Sequence, residues 1–220
     1  RAMGELFFIV DSDDYLPQDS LEIINNFSKK ISGSIVGVVG RKQYPDSTKI
    51  GGNFKEKEFI SDHIKKTYVD GIKGDLAEVV TTKVLKQCKF PDYKDEKFCA
   101  EGLMWNKIAA KNFKLLFFDI SIYTAEYLDN GLSANSILNR RKSPTYAMQY
   151  YSDLVKDKRL PLKFKIRTYI NYWRFSFFKY FTFTENWKNI DYSNLGLFCL
   201  PLGWFLKLKD DIKISKIKKL

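Results

Sequence analysis

The chain has 220 residues and a formal net charge of +11, which is long enough for one substantial core with a smaller addition. Its three cysteines, Cys88, Cys99 and Cys199, have no metal-binding spacing, which argues against a disulfide framework or a zinc site and favours a reducing compartment. The sequence contains no internal repeat and no low-complexity stretch.

The first element is an apolar run at residues 6–10, which predicts a strand buried on both faces. Three carboxylates, Asp11, Asp13 and Asp14, follow it directly, at a position where α/β sheets bind ligands. In an extended segment Asp11 and Asp13 would share one face, and such oxygen ligands suit Mg²⁺ or Mn²⁺. A simple surface turn, which Asp and Ser favour, explains the same residues without a ligand.

The elements that follow alternate between strand and helix patterns. Helices are predicted over residues 19–30, 59–67, 81–88 and 105–111, and strands over 35–40, 76–80 and 114–122, although 76–80 also fits the lead into the next helix. This order predicts an α/β fold with a mostly parallel sheet covered by helices.

The charge is concentrated near the end of the sequence. Residues 151–220 carry 15 basic and 6 acidic side chains, whereas the first 150 residues carry 22 and 20. We therefore expect a globular part over residues 1–145 and a helical, basic and aromatic C-terminal region over 146–220. Within that region Tyr169, Tyr172 and Trp173 recur at the steps of an amphipathic helix.

The C-terminal region allows several interpretations. Residues 195–206 are apolar but too few to span a bilayer, and they contain Pro201, which suits an interfacial or re-entrant segment. Aromatic residues among lysines predict peripheral contact of residues 163–220 with an anionic cytoplasmic leaflet. The same residues fit packing onto the rest of the chain or pairing in a homodimer. Nucleic acid binding is not expected, because no recognised motif accompanies the charge.

Four segments, in order, resemble family 2 glycosyltransferases, which are inverting, metal-dependent enzymes of the GT-A fold that use nucleotide diphosphate sugars. Residues 4–16 resemble the DXD segment of that family, and residues 94–98 and 101–106 resemble the segment with the catalytic carboxylate. Residues 127–133 resemble the loop after the catalytic core in bacterial capsule-type and O-antigen-type members. The resemblance covers roughly residues 4–145.

The resemblance also implies that the GT-A-like domain is N-terminally incomplete. Family members place a nucleotide-binding half before the DXD segment, whereas this chain opens with Arg1 and reaches Asp11 at once. We therefore expect a part of a larger protein that lacks the strands for the base and ribose, which puts the activity of the chain alone in question.

On the donor side, the resemblance implies a bound Mn²⁺ or Mg²⁺ between protein and diphosphate. Asp13 would be the metal ligand, Asp11 would hold the ribose or support the ion, and Ser12 lies between them. Tyr127 and Ser133 would contact the diphosphate from the later loop. A plain connecting loop, with Ser133 starting the next helix, is the alternative for those two residues.

On the acceptor side, inversion requires a base that takes a hydroxyl proton. Glu101 lies four residues before Trp105, as the family's acidic base does, and Glu96 is the fallback because Gly102 departs from the usual acidic pair. A solvated carboxylate at a helix start is the ordinary alternative for Glu101.

The resemblance places further residues near the acceptor. It implies acceptor contacts for Lys73, Asp75 and Trp105. A glycine-rich turn with a helix-capping Asp75 is an equal alternative. The one histidine, His63, is interpreted as a surface residue.

The function expected from the resemblance is sugar transfer to a glycan or lipid-linked acceptor in bacterial surface polysaccharide synthesis, in the cytoplasm at the inner face of the membrane. Two alternatives stay open. A haloacid-dehalogenase-like phosphohydrolase would use Asp11 as nucleophile, although Tyr15 departs from its usual Thr or Val. A non-catalytic, membrane-associated binding module is the other.

Overall fold

The computed structural model describes residues 2–126, 135–179 and 181–217. The chain divides into two compact units, the first formed by residues 1–89 and 107–131 and the second by residues 90–106 and 132–220. Each unit contains a hydrophobic core of its own. The sequence did not predict that residues 90–106, which carry both candidate bases, group with the C-terminal region.

A five-stranded sheet forms the first unit. Its strands are β1 (Leu6–Phe8), β2 (Ile35–Gln43), β3 (Glu58–Ser61), β4 (Leu76–Thr81) and β5 (Lys114–Thr124), in the spatial order β1-β4-β2-β5-β3. β4 is antiparallel to β1 and β2, and β3 is antiparallel to β5, so β2 and β5 form the single parallel pair of this sheet. The α/β class is confirmed, but the predicted mostly parallel sheet is wrong. Apolar runs show that strands are buried and do not show which neighbours they pair with.

The centre of the sheet is tightly packed around β2, where Val38 and Val39 are fully buried. A Cβ on Gly40 would lie 2.5 Å from a side-chain carbon of Ile122, so only glycine fits there without displacement of a neighbour. The edge strand β1, by contrast, is half-buried, and the prediction that it is buried on both faces is wrong.

Two helices, α1 (Ser20–Ser28) and α2 (Thr82–Gln87), belong to the first unit and confirm two predictions. On α1, Phe27 stacks on Phe118 of the sheet with ring centroids 4.0 Å apart. The helix predicted over residues 59–67 is wrong in its first half, because Phe59 and Ile60 pair with β5 as strand β3. A short π-helix, Lys65–Val69, follows. Helix α3 (Gly102–Ala110) confirms the helix predicted over residues 105–111 and contains the boundary between the units.

The second unit is helical, as predicted for the C-terminal region. Its helices are α4 (Ser136–Lys142), α5 (Pro144–Val155), α6 (Leu162–Ser176), α7 (Phe183–Asn189), α8 (Asn194–Phe198) and α9 (Leu200–Ile217). The aromatic stripe of α6 is buried: Tyr172 and Trp173 are 1% and 2% exposed, and Trp173 Nε1 donates a hydrogen bond to the Gly196 carbonyl at 2.7 Å. These side chains therefore pack inside the unit and are not exposed for contact with a membrane.

Close approach and an ion pair join α6 to α9. A Cβ on Gly203 would lie 2.5 Å from the Cβ of Trp173, so glycine lets the two helices meet. Arg174 donates two hydrogen bonds to the Asp210 carboxylate, at 2.7 and 2.6 Å, and both side chains are largely buried. In the described part of the chain, no helix is both long and apolar enough to cross a membrane.

Candidate functional site

The three carboxylates after β1 lie in a turn. The Asp14 backbone N–H donates to the Asp11 carbonyl at 3.2 Å, which closes the turn. The expectation that Asp11 and Asp13 share a face of an extended segment is therefore wrong. Both side chains are nevertheless exposed, as is Ser12 between them. The turn presents two carboxylates to solvent at the end of an edge strand.

Tyr123 of β5 fixes this acidic turn. Its hydroxyl donates to Asp14 Oδ2 at 2.7 Å and accepts the backbone N–H of Asp11 at 3.0 Å. The second oxygen of Asp14 accepts the Glu126 backbone N–H at 3.0 Å. Tyr15 and Thr124 exchange backbone hydrogen bonds beside them. Asp14 is thus a structural carboxylate, and it holds the segment that carries the two exposed ones.

The phenol of Tyr123 is suited to this role. The side chain is 1% exposed, and burial raises its pKa well above 10. The Asp11 backbone N–H opposes this shift, whereas the hydrogen bond to Asp14 and the charges of Asp11 and Asp14 add to it. The phenol therefore remains protonated and donates to Asp14 at any physiological pH. Sequence reasoning missed Tyr123, although a tyrosine in a buried strand signals a hydroxyl that needs a partner.

A cation lies next to the same tyrosine. Lys42 Nζ is 4.2 Å from the centroid of the Tyr123 ring, and Phe8 packs edge-on against that ring at 5.8 Å. Lys42 is half-buried and was also missed by sequence reasoning. Its position adds positive charge close to the acidic turn.

Few side chains at the acidic turn could bind a metal ion. Among residues 2–126, 135–179 and 181–217, no group of three or more His, Cys, Asp or Glu side chains is arranged to hold a metal ion. Two carboxylates still fit the chemistry of Mg²⁺ or Mn²⁺, which keep several positions for water and phosphate oxygens. The exposed pair therefore fits a metal that arrives with a phosphate ligand.

Lys73 and Asp75 lie in a glycine-rich loop supported by a second one. The Gly52 backbone N–H donates to the Lys73 carbonyl at 2.8 Å, and Gly74 has a φ of +103°. Lys73 and Asp75 are both exposed. Asp75 precedes strand β4, so the alternative that it caps a helix is wrong.

A buried arginine supports the loop around Gly52. Arg41 of β2 is fully buried and donates to the carbonyls of Gly52 and Ile50, at 2.6 and 3.4 Å. Burial lowers its pKa, and Asp119, 3.8 Å from its Nε, opposes that shift. Sequence reasoning gave Arg41 no role, since the residue follows an apolar strand and resembles a loop start.

The histidine is not the surface residue that was expected. His63 is half-buried, and burial, followed by the charge of Lys66, lowers its pKa to about 3. Lys66 is itself 3% exposed, and burial lowers its pKa against the raising effect of Glu78 and Asp75. A neutral His63 is therefore part of the structure at physiological pH.

Glu96, the fallback base, is engaged in the second unit. Its two carboxylate oxygens accept the backbone N–H groups of Thr145 and Tyr146, at 2.9 and 3.0 Å. The side chain is 5% exposed, and Lys179 Nζ lies 3.9 Å away. Glu96 therefore caps the N-terminus of α5, an arrangement that opposes a role in proton transfer.

Glu101, the preferred base, is exposed at the start of α3. Its backbone carbonyl accepts the N–H of Met104 at 2.8 Å. Trp105 in the same helix is 5% exposed, so its ring is largely covered. The predicted donor contacts Tyr127 and Ser133 lie outside the described residues. The acidic turn belongs to the first unit, and both glutamates belong to the second.

The α8–α9 apolar surface is formed by four exposed side chains, Phe198, Leu202, Phe205 and Ile212, which are 51–81% exposed. Along α9 the last three recur at steps of three and seven residues, which places them on one side of the helix. Lys209 shares that side, with its Nζ 4.8 Å from the Phe205 ring centroid. Other exposed apolar side chains of the second unit, Leu162, Phe183 and Tyr192, lie outside α8 and α9.

Comparisons with protein-family models, with curated proteins and with solved structures returned no match to this chain.

Proposed function

We propose that this chain is the metal- and acceptor-binding part of an inverting glycosyltransferase of GT-A architecture. The observation that carries the proposal is the acidic turn after β1. Tyr123 and the Glu126 backbone hold Asp14, so the turn is ordered while Asp11 and Asp13 stay exposed. The DXD resemblance of residues 4–16 supplies the reaction class, and the turn supplies carboxylates suited to it.

The donor would be a nucleotide diphosphate sugar. Asp13 and Asp11 would hold Mn²⁺ or Mg²⁺, with Ser12 beside the diphosphate. When bound, the metal stabilises the negative charge that develops on the leaving diphosphate. Lys42 adds positive charge beside the turn, with its Nζ 4.2 Å from the Tyr123 ring.

The acceptor would be a glycan or lipid-linked sugar. Its hydroxyl oxygen attacks the anomeric carbon, the bond from that carbon to the diphosphate breaks with its electron pair, and the hydroxyl proton passes to Glu101. Glu101 is preferred over Glu96 because it is exposed, whereas two backbone N–H groups engage Glu96. The exposed Lys73 and Asp75 would contact acceptor hydroxyls, and the buried Trp105 would position the α3 segment.

The α8–α9 apolar surface gives the proposal a membrane contact. Phe198, Leu202 and Phe205 are exposed apolar groups near lysines, a combination that favours an anionic bilayer surface at the inner face of the cell membrane. That location suits a lipid-linked acceptor in surface polysaccharide synthesis. Pairing of two copies through the same residues is the competing use of the surface.

Vesicle sedimentation tests the membrane contact. The double substitution Phe198→Ser and Phe205→Ser should release the chain from vesicles that contain phosphatidylglycerol. Leu21→Ser, which removes an equally exposed apolar side chain from α1, should not. Concentration-dependent self-association that the double substitution abolishes, without vesicle binding, would assign the surface to a homodimer.

Calorimetry with Mn²⁺ and uridine diphosphate tests the metal site. Binding should require Mn²⁺ and should be lost in Asp13→Asn, while Glu22→Gln, an exposed carboxylate on α1, makes the same charge change as a control. Binding that persists in Asp13→Asn would remove the metal role. Hydrolysis of p-nitrophenyl phosphate that Asp11→Asn abolishes would favour the phosphohydrolase alternative.

A further inference from the structure

The second unit contains a cavity of about 400 Å³. Its walls come from α5, α6 and α7 and from the segments before α3 and α7, and every lining residue belongs to this unit. The volume lies within the range of roughly 300–1,000 Å³ that is typical of small-molecule sites. None of the residues of the acidic turn lines it.

Two hydroxyl groups on the wall have incomplete hydrogen bonding. Thr145 Oγ1 is buried and has no hydrogen-bond partner. The Tyr93 hydroxyl donates to Gln149 Oε1 at 3.5 Å, which is long for such a bond. Because unsatisfied polar groups cost free energy, a ligand that pairs with these hydroxyls recovers it.

The helix α5 lines one wall with polar groups at helical spacing. Thr145, Gln149 and Ser152 follow each other at steps of four and three residues, so they share a face. The Gln149 amide donates to Asp153 at 2.6 Å, which fixes the orientation of its carbonyl oxygen as an acceptor towards Tyr93. The wall therefore offers both donors and acceptors in a defined arrangement.

The cavity does not select a charge. Its described lining residues include one cation, Lys188, and one anion, Glu185, whose carboxylate already accepts the Thr182 backbone N–H at 2.7 Å. The ring of Phe181 supplies flat apolar surface, whereas Tyr172 is 1% exposed and its hydroxyl donates to Asn186. An aromatic face combined with neutral donors and acceptors matches a sugar ring, which has apolar C–H faces and a rim of hydroxyls.

We propose that this cavity binds one neutral sugar unit. Its assignment to the acceptor glycan rests on the proposed transferase function, whereas the sugar binding itself does not. Tyr93 and Thr145 would bind hydroxyls of the sugar, and the Phe181 ring would cover its apolar face. Thr145 reaches the ligand by a change of its χ1 rotamer, which helical threonines allow.

Methionine labelling gives a direct test in the full chain. The sequence has three methionines, and Met148 lines the cavity, whereas Met3 is 96% exposed near the N-terminus and Met104 is buried in α3. Methyl glucoside, methyl galactoside and methyl N-acetylglucosaminide are titrated, without metal or nucleotide, into protein labelled with ¹³C at the methionine methyl groups. At least one should shift the Met148 signal and saturate in the millimolar range, with Met3 and Met104 unmoved.

Two shape-conserving variants make the test specific. Tyr93→Phe and Thr145→Val each remove one hydroxyl, and together they should weaken sugar binding about tenfold, as expected for the loss of one to two hydrogen bonds. Thr67→Val removes a hydroxyl that is likewise buried and unpartnered but lies outside the cavity, and it should leave binding unchanged.

The outcomes separate this inference from the transferase proposal. Absence of any Met148 shift up to about 100 mM sugar, an affinity too weak to matter, overturns the inference. A shift that both variants leave unchanged, or one caused by uridine diphosphate and not by sugars, also overturns it. Sugar binding without Mn²⁺-dependent nucleotide binding supports the cavity assignment and contradicts the transferase proposal. Mn²⁺-dependent nucleotide binding without sugar binding supports the transferase proposal and contradicts the cavity assignment.

Discussion

Replacing Tyr123 with Phe tests how the acidic turn is held. The substitution keeps the ring and its contacts with Phe8 and Lys42 but removes the hydroxyl that joins Asp14 and Asp11. A hydrogen bond to a charged group contributes about 1.5–3 kcal/mol and a neutral one about 0.5–1.5 kcal/mol. Because the Asp14 carboxylate is half-buried, we expect a loss of about 2–4 kcal/mol in the free energy of unfolding.

Urea denaturation followed by far-ultraviolet circular dichroism measures this loss. With a slope of about 2 kcal/mol per molar, the midpoint should fall by roughly 1–2 M. Amide exchange at Asp11 and Glu126 should accelerate as well, since both N–H groups belong to the braced turn. If the turn carries the metal, Mn²⁺-dependent nucleotide binding should weaken in parallel.

The matched control is Tyr15→Phe, which makes the same chemical change on a side chain that is 49% exposed in the same segment. Its midpoint should stay within the error of the parent chain, because exposed substitutions rarely change stability by more than about 0.5 kcal/mol. A midpoint for Tyr123→Phe equal to that of Tyr15→Phe would refute the argument that this hydroxyl braces the turn.

Three further results are expected. Glu96→Ala should destabilise the chain by about 1–3 kcal/mol in chemical denaturation, because the α5 cap is lost. Glu101→Ala should leave stability unchanged and lower the transfer rate by about 10²–10⁴-fold. The opposite pattern would exchange the roles of the two glutamates. The pKa of His63 is lowered from 6.5 to about 3, so its contribution to stability is present above about pH 6.5 and is lost as the pH falls towards 3, by up to about 1.4 kcal/mol per pH unit. The proton signal of this single imidazole should not titrate above pH 5 in nuclear magnetic resonance spectra, and a midpoint near 6.5 would contradict its burial. Gly203→Ala should cost about 1–3 kcal/mol in thermal or urea unfolding because the new methyl group meets Trp173, whereas Lys209→Ala on the exposed side of α9 should be neutral.

Local sequence patterns predicted most elements of this fold. Apolar runs located β2 and β5, and the three-to-four-residue recurrence of Tyr169, Tyr172 and Trp173 located α6. These predictions succeed because the burial of one face of a helix or strand places apolar residues at short, regular intervals along the sequence. The helix predicted over residues 59–67 failed in its first half because pairing with β5 outweighed the local preference of Phe59 and Ile60.

The sequence also predicted the position of the acidic turn, but not the hydrogen bonds that hold it. Tyr123 follows Asp14 by 109 residues, and Thr145 follows Glu96 by 49. No periodicity connects residues so far apart, because their proximity depends on how the strands and helices pack. Arg41 binds carbonyls only 9 and 11 residues further along the chain, but these contacts likewise depend on how that loop folds back on β2.

The sequence by itself determined the α/β class and most strands and helices of the first unit, where the carboxylates cluster and where positive charge and aromatic residues accumulate. The tertiary structure decided the strand directions, the separation of the aromatic residues into a buried stripe on α6 and an exposed surface on α8 and α9, and the capping role of Glu96. Composition and spacing act over a few residues, whereas strand pairing, burial and carboxylate partners depend on contacts between segments that are distant in the chain.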